Sequence, residues 1–489
     1  MKEAPRLLVS AAHKSSGKTT VSVGLCAALR TQGLAVQPFK KGPDYIDPMW
    51  LAQAAARDCF NLDPYLSGPE EIAAAFAHRA VTADISIVEG NKGLYDGLAL
   101  DGSNSNAALA QMLGLPVLLV IDAQGMTRGI APLILGYQAF DRNIRIAGVV
   151  LNKLGGSRHE AKLRAVIEHY TDVPVLGALA CEPGLSLTER HLGLMPAAEL
   201  EDAAERVRAL GRRIAAQVDL QRVIELAQGA EPLPSVQYAA RHVITIASAP
   251  VRGPIRIGIA RDRAFGFYYP DDLAALRAAG AELVPFDTLR DAHLPMVDGL
   301  FIGGGFPEVF MAELQANASL RSEIATAIEA GLPAYAECGG LMYLARSLTW
   351  HGRTCRMVGA IPGDVTMHER PVGRGYVRLR PTAHHPWPAP IGMNAAAQSE
   401  WRGHEFHYSS LDNLDPGTRF AYRVERGHGI DGRHDGLLRR NLLASYAHLR
   451  DTGGSGWPAR FVAFVRAHVR SPRVPRAPAA RTPALAAVA

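Results

Sequence analysis

The chain has 489 residues, too many for a single hydrophobic core, so two or three domains are expected. Hydrophobic residues make up 48% and charged residues 20%, an ordinary soluble balance, and the net charge of +5 is small for this length. Composition therefore gives no ground for nucleic-acid binding, and no nucleic-acid partner is expected.

Five cysteines (Cys26, Cys59, Cys181, Cys338 and Cys355) are scattered without CxxC pairs. An odd, sparse set points to a reducing compartment and away from a disulfide framework or zinc site. The opening residues, Met1-Lys2-Glu3-Ala4-Pro5-Arg6, carry no apolar signal region, and no stretch reaches the roughly 18 apolar residues of a membrane span. A cytoplasmic protein with no membrane partner is the expectation.

Leu7 to Ala11 reads as a short buried strand. It runs into Ala12-His13-Lys14-Ser15-Ser16-Gly17-Lys18-Thr19-Thr20 and then a helical pattern from Val21 to Arg30. Strand, small-residue loop ending in GKTT, then helix is the context of a phosphate-binding P-loop. Ser16, Gly17, Lys18, Thr19 and Thr20 are thus candidate ATP-binding residues. Backbone N–H groups cradle phosphate at the helix N-terminus, Lys18 reaches the terminal phosphates and Thr19 offers a hydroxyl to Mg²⁺. Ala12 replaces the first glycine of the strict pattern. His13 and Lys14 are unusual loop residues, and Lys14 can add a second positive charge near the phosphates.

A second strand, Ala35 to Phe39, delivers Lys40-Lys41-Gly42-Pro43-Asp44-Tyr45-Ile46-Asp47-Pro48, at the end of a strand where open α/β sheets bind ligands. Asp44 and Tyr45 are expected to face the γ-phosphate and the substrate carboxylate together. A third strand, Asp84 to Glu89, ends in Gly90-Asn91-Lys92-Gly93-Leu94-Tyr95-Asp96-Gly97. An acidic residue closing an apolar strand is what a Walker B site needs to hold Mg²⁺. Strands at Pro116–Asp122, Arg145–Asn152 and Val175–Ala180 alternate with helical segments, which implies a parallel, doubly wound sheet. Asn152 ends its strand where nucleobase-reading residues sit in related NTPases. Residues 197–227 read as one charged helical stretch, and the proline-punctuated run that follows reads as an interdomain linker.

The second half opens with strand Ile255 to Ala260 and an aromatic run from Phe265 to Tyr269 that suits an interface. Leu300-Phe301-Ile302 runs into Gly303-Gly304-Gly305, a loop able to aim a backbone N–H at a developing oxyanion. Pro333-Ala334-Tyr335-Ala336-Glu337-Cys338-Gly339-Gly340-Leu341 reads as a buried strand, a cysteine at the turn and an immediate helix. A helix N-terminus favours a thiolate, and the glycines let a carbonyl approach the sulfur and the N–H of Gly339. Gly304 and Gly339 are the candidate oxyanion hole. Asn441 to Ala447 is an apolar strand ending at His448, and histidine supplies the base and the acid that a thiolate attacking an amide needs. Cys338 and His448 are the candidate catalytic pair. In Gly403-His404-Glu405-Phe406-His407-Tyr408-Ser409, alternation puts His404 and Phe406 on one face and Glu405 and His407 on the other, so a structural or substrate-facing role is favoured over zinc. Thr382 to Pro390 reads as a mobile loop insertion, and the Pro/Ala/Arg-rich tail from Ser471 to Ala489 as disordered.

On these residues, Ile255 to His448 looks like a class I glutamine amidotransferase domain. The usual triad of such domains has a glutamate two residues after the histidine. Here that place holds Arg450, which matches the cobyrinate and cobyrate synthase branch, thought to work with a Cys–His pair. The P-loop is similar to that of the dethiobiotin synthetase and cobyrinate synthase group. KGPDYIDP, EGNKGLYDG, the ERHLGL segment at Glu189 to Leu194, Gly373-Arg374-Gly375-Tyr376 and the Gly403–Ser409 stretch all resemble segments of the cobyrinate a,c-diamide synthase family, in family order. The resemblance covers about residues 5 to 450.

It implies an α/β chain in which 1–228 is a P-loop synthetase domain of dethiobiotin-synthetase type, 229–254 a linker, 255–455 the amidotransferase domain and 471–489 a disordered tail. It implies amidation of the a- and c-acetates of a tetrapyrrole, most simply cobyrinate, through acyl phosphates and ammonia from glutamine. Hydrogenobyrinate, nickel-sirohydrochlorin and sirohaem are alternative substrates, and a partition-type regulatory NTPase is the rival of another class. ATP, L-glutamine and the tetrapyrrole are the implied partners, with a homodimer left open. Mg²⁺ is implied at Thr19, Asp44 and Glu89, and substrate contacts at Asp44, Tyr45, Tyr95, Asp96 and Arg190.

Overall fold

The computed structural model describes residues 5–182, 189–190, 193–233, 253–389, 400–452 and 455–469. Most of the expected linker (234–252) and the whole tail (471–489) lie outside the described residues.

The first lobe is built on seven strands: β1 (Arg6–Ala11), β2 (Val36–Lys41), β3 (Phe60–Leu62), β4 (Ile85–Glu89), β5 (Val117–Asp122), β6 (Ile146–Leu154) and β7 (Val175–Ala180). Their order is β3-β2-β4-β1-β5-β6-β7, and every neighbouring pair is parallel. The strands are apolar and buried on both faces, as a parallel sheet covered by helices requires. The register sets Val9 opposite Glu89 and Lys40 opposite Glu89, so the ends of β1, β2 and β4 converge on one edge. Helix α1 (Lys18–Thr31) starts there behind Gly17, whose φ of 89° is left-handed. A Cβ on Gly17 would stand 2.1 Å from the Asn152 amide nitrogen, so glycine is needed twice over.

The stretch expected as one helix over 197–227 is two. Helices Ala203–Gln217 and Leu220–Gln228 are separated because Val218 leaves the first to bridge Gly177, and Asp219 caps the second by accepting from the Arg222 N–H at 2.9 Å.

The second lobe carries a ten-stranded mixed sheet. Its parallel half runs Ala281–Phe286, Ile255–Ala260, Gly299–Ile302, Ala334–Glu337, Leu442–Ser445. An antiparallel half follows from His434–Arg439 to Trp401–His407 and ends on His448–Leu449. Helix Trp457–His468 closes one face, burying Phe461 and Val465 in the same core as Ile257 and Leu443. The segment expected as a mobile insertion is packed as far as it is described. Trp387 is buried, and the His385 ring lies 4.9 Å from Trp401 and 5.2 Å from Tyr422. Burial pushes His385 down to about 3, so this half-buried histidine favours the neutral form. Residues 390–399 lie outside the described residues.

The lobes meet through polar and aromatic contacts. Tyr376 donates to Asp63 at 3.0 Å and stacks on Tyr65 with ring centroids 4.2 Å apart. Arg450 donates to the Asn61 carbonyl and to Asp271 at 3.1 Å, and Arg79 reaches Asp271 at 3.3 Å. No helix among the described residues is long and apolar enough to cross a membrane.

Candidate active sites

Cys338 is the N-cap of helix Gly339–Leu344 and takes φ 46°, ψ −103°, a backbone strain that thrusts the side chain out of the strand–helix turn. The elbow is locked by the Cys338 N–H donating to the Ser445 carbonyl at 2.8 Å. It also needs bare backbone behind it, since a Cβ on Gly340 would stand 2.1 Å from the Ile302 carbonyl oxygen. His448 arrives on the strand after Leu442–Ser445, the parallel neighbour of Ala334–Glu337, and its side chain is hydrogen-bonded to the Cys338 side chain. Burial lowers the His448 pKa, yet the hydrogen bonds and charges of Cys338 and Glu337 win and hold it at about 10. The ring thus lies between the Cys338 side chain and the Glu337 carboxylate, both of which favour its charged form.

Of the two glycines expected to form the oxyanion hole, Gly339 packs against the Gly305 backbone, with 2.9 Å from its would-be Cβ to the Gly305 nitrogen. Gly304 lies against the His448 ring, leaving 2.6 Å between its would-be Cβ and Cε1. The Gly303 N–H is taken by the Tyr268 hydroxyl at 3.0 Å, and Gly305 lies on the wall of the cleft above the thiol.

Sequence reasoning missed Glu337, the residue before the nucleophile. Its Oε2 lies 3.2 Å from His448 Nδ1, and both residues are buried. Its Oε1 accepts from the Leu449 N–H at 3.0 Å and from the Tyr335 hydroxyl at 2.6 Å. A charged residue closing an otherwise apolar strand was the available signal.

The second site lies where β1, β2 and β4 converge. Thr19 donates to Glu89 Oε1 at 2.6 Å, and Lys40 reaches Asp47 at 2.5 Å and Glu89 at 3.0 Å. Lys40 and Asp47 were not among the expected site residues, although both stand in the KGPDYIDP neighbourhood. Burial alone would lower the Lys40 pKa, but Asp47, Glu89 and Asp44 hold it protonated. Lys18 is lowered, by burial first and then by Lys40. Burial and the charge of Asp47 push Asp44 up to about 7, and burial raises Glu89. Asn152 Nδ2 donates to the Ser16 carbonyl at 2.9 Å and so braces the P-loop.

A divalent cation suits this donor set. Glu89 Oε2 is buried without a hydrogen-bond partner, beside a threonine hydroxyl and carboxylates, all hard oxygen donors. Among the described residues no three acidic, histidine or cysteine side chains form a ready metal cage.

Other expected contacts are placed differently. Tyr45 does not face the P-loop beside Asp44. It turns into the second lobe, with ring centroids 5.2 Å from Phe267, 4.4 Å from Tyr269 and 5.2 Å from His448. The reason is physical: a buried aromatic ring finds an apolar aromatic seat across the interface and none among the carboxylates. Tyr95 donates to the Tyr137 carbonyl at 2.6 Å and so ties its loop to helix Ile130–Phe140, and Asp96 accepts from the Gly93 N–H at 2.8 Å within the loop. The side chain of Arg190 lies outside the described residues. Glu405 accepts from the His428 and Gly429 N–H groups at 2.6 and 2.8 Å, and His407 stacks on Tyr446 at 3.8 Å.

A cleft of about 240 Å³ lies between the lobes at the thiol site. Lys41, Asp44 and Tyr45 line it from the first lobe, and Cys338, Glu308 and His448 from the second.

Residues 256–452 match the model of the CobB/CobQ-like glutamine amidotransferase domain, and residues 5–188 match that of an AAA domain. A P-loop lobe joined to a thiol amidotransferase lobe defines a glutamine-dependent amidoligase, a carbon–nitrogen ligase. The chain belongs to the cobyrinate a,c-diamide synthase family. It is 47% identical over 464 residues to the cobyrinate a,c-diamide synthase of Magnetococcus marinus, across 94% of this chain and 97% of that protein. The proteins of that name from Methanosarcina barkeri and Archaeoglobus fulgidus are 42% and 39% identical, over 91% and 94% of this chain and 92% and 97% of their own lengths.

Proposed function

We propose that this protein uses ATP and glutamine to convert the a- and c-acetates of cobyrinate into carboxamides. The observation that carries this reading is the single cleft holding both Cys338 and Asp44. In this reading one lobe makes ammonia, the other makes an electrophile, and the cleft brings the thiol and Asp44 together.

In the second lobe, the Cys338 thiolate attacks the glutamine carboxamide. His448 gives its proton to the departing nitrogen as the C–N bond breaks, leaving a γ-glutamyl thioester and free ammonia. The N–H of Gly339, with one from the 303–305 loop, supports the developing oxyanion. In the first lobe, the P-loop backbone and Lys18 hold the nucleotide phosphates, and Ser16, Thr20 and Asn152 shape that cradle. Thr19 and Glu89, with Asp44 or Asp47 beside them, would hold Mg²⁺, which when bound offsets phosphate charge. A substrate acetate takes the γ-phosphoryl group, and ammonia then displaces phosphate to give the amide. Lys40 keeps the carboxylates around the transfer site partly neutralised, so an anionic acetate can enter.

The names of the relatives support cobyrinate as the substrate. The test offers purified protein a panel of cobyrinate, hydrogenobyrinate, nickel-sirohydrochlorin and sirohaem with ATP and glutamine, read by mass spectrometry. Two successive amidations of cobyrinate at the highest kcat/KM are expected. Preference for another macrocycle would move the substrate, and ATP hydrolysis without glutamate release would overturn the reading.

A further inference from the structure

We infer that Glu337 is the positioning carboxylate of the thiol site, completing a Cys338–His448–Glu337 relay in which acid and nucleophile are neighbours in the chain. This rests on the glutaminase half of the reading above and on nothing in the synthetase half.

The acid position of the usual triad, two residues after the histidine, holds Arg450, whose Nη2 donates to the Asn61 carbonyl and to Asp271. The His448 ring still needs a partner on Nδ1, because an imidazole whose other nitrogen is to exchange a proton with sulfur must be held in one tautomer and one orientation. Glu337 Oε2 at 3.2 Å is that partner. The carboxylate cannot swing away, since its other oxygen is fixed by the Leu449 N–H and the Tyr335 hydroxyl. The ring is confined from the far side by Gly304.

Sheet register explains how one strand end supplies two members. Glu337 pairs with Ser445 on the parallel neighbour that leads to His448. Glu337 is the last residue of its strand, and Cys338 is the N-cap of the helix that follows at once, so both side chains stand within reach of the His448 ring.

The charged and titratable groups around the relay are Tyr335 and Cys338 from its own strand and turn, Tyr45 from the other lobe, and Tyr268, Tyr269, Asp272, His404, Tyr422, Tyr446 and Arg450 from the packed elements. His404 stacks on His448 at 4.8 Å and is kept neutral by burial and by the charge of His448, so it adds no positive charge. Glu337 is the carboxylate in contact with the ring. When the thiol proton moves to His448, Glu337 stabilises the imidazolium without taking the proton. When the C–N bond breaks, that proton leaves with ammonia. In the second half, water attacks the thioester, its proton goes to His448 and the C–S bond breaks.

The experiment compares wild type with Glu337→Gln. Glutaminase kcat is expected to fall about a hundredfold or more, with KM for glutamine within about threefold. Synthesis from added ammonium salt should persist, which also reports that the variant is folded. Removing the negative charge destabilises the imidazolium–thiolate pair, so the pH midpoint for alkylation of Cys338 by iodoacetamide should rise. A purely structural glutamate would leave that midpoint unmoved. Wild-type kcat and an unmoved midpoint would overturn the inference while leaving the proposed function intact; a wild-type protein that hydrolyses no glutamine would overturn the function instead. Glu337→Asp, which keeps the charge but withdraws it by one carbon, decides the matter if the glutamine variant does not fold: a smaller rise in the same direction supports the relay, and an unmoved midpoint refutes it.

Discussion

The rings of Tyr45 and His448 stand 5.2 Å apart although one belongs to each lobe. Tyr45 follows Asp44, whose Oδ1 accepts from the Ile46 and Asp47 N–H groups at 2.9 and 3.1 Å. Two residues thus link the carboxylate cluster beside the P-loop to the histidine beside Cys338. Tyr45→Ala should open the wall between them. The expected result is continued glutamine hydrolysis with poorer capture of ammonia, so that glutamate released per carboxamide formed rises severalfold over wild type. A simultaneous count of glutamate and amide checks it, and an unchanged ratio would show that the ring has no part in confining ammonia.

Cys338→Ser should abolish glutamine-dependent synthesis and leave synthesis from ammonium salts. His448→Ala should do the same, since the thiolate loses its proton partner. If ammonia-dependent turnover vanished in a folded variant, the division into two sites would be wrong.

Lys18→Ala or Glu89→Gln should remove both the glutamine- and the ammonia-dependent reactions. Each takes away a group that the transferring phosphoryl or its cation needs. Normal turnover with ammonium salts in either variant would contradict the P-loop assignment.

Asp44 has its ionisation pushed up to about 7 by burial and by Asp47, against about 4 in an unfolded chain. A raised carboxylate binds more protons folded than unfolded between those values, so it costs stability increasingly as pH rises from about 4 to about 7. Asp44→Asn should therefore be more stable than wild type above about pH 7, with the advantage fading toward about pH 4. The same variant should lose kcat for ammonia-dependent synthesis far more than nucleotide affinity. A urea series at several pH values, with a nucleotide titration, tests both halves.

Arg450→Ala should destabilise without touching the thiol chemistry. It withdraws a buried guanidinium from the Asn61 carbonyl and from Asp271, a loss of about 3 kcal/mol or more. The alkylation midpoint of Cys338 should remain where it is. A shift as large as that of Glu337→Gln would mean that Arg450 tunes the relay directly.

Much of the site was legible because its members sit at strand ends, where apolar runs stop and chemistry begins. Glu89, Cys338 and His448 stand at or just after such stops, Lys18 and Thr19 open the helix behind the P-loop, and the alternating pattern sufficed to make the first sheet parallel. What escaped depended on contacts between segments far apart. Glu337 reads as the last residue of a buried strand until the parallel neighbour brings His448 against it. Tyr45 could not be turned correctly without the second lobe, whose Phe267 and Tyr269 supply its seat. The break at Val218 was hidden because a charged helical pattern runs straight through it, and only the bridge to Gly177 shows why the helix stops.

Arg450 and Tyr45 together bear on how such a chain is inherited. A second lobe severed at the linker would keep Arg450 but lose the Asn61 carbonyl, and would lay Phe267 and Tyr269 open to water. It would be a sticky fragment in which Arg450 keeps only its own lobe's Asp271, not a free-standing glutaminase ready to serve other synthetases. Exchange of the lobe for a foreign one would require a matching guanidinium and a matching aromatic seat at the same moment. Recombination that brings one without the other is penalised at once, so the two halves travel through descent as a single heritable unit.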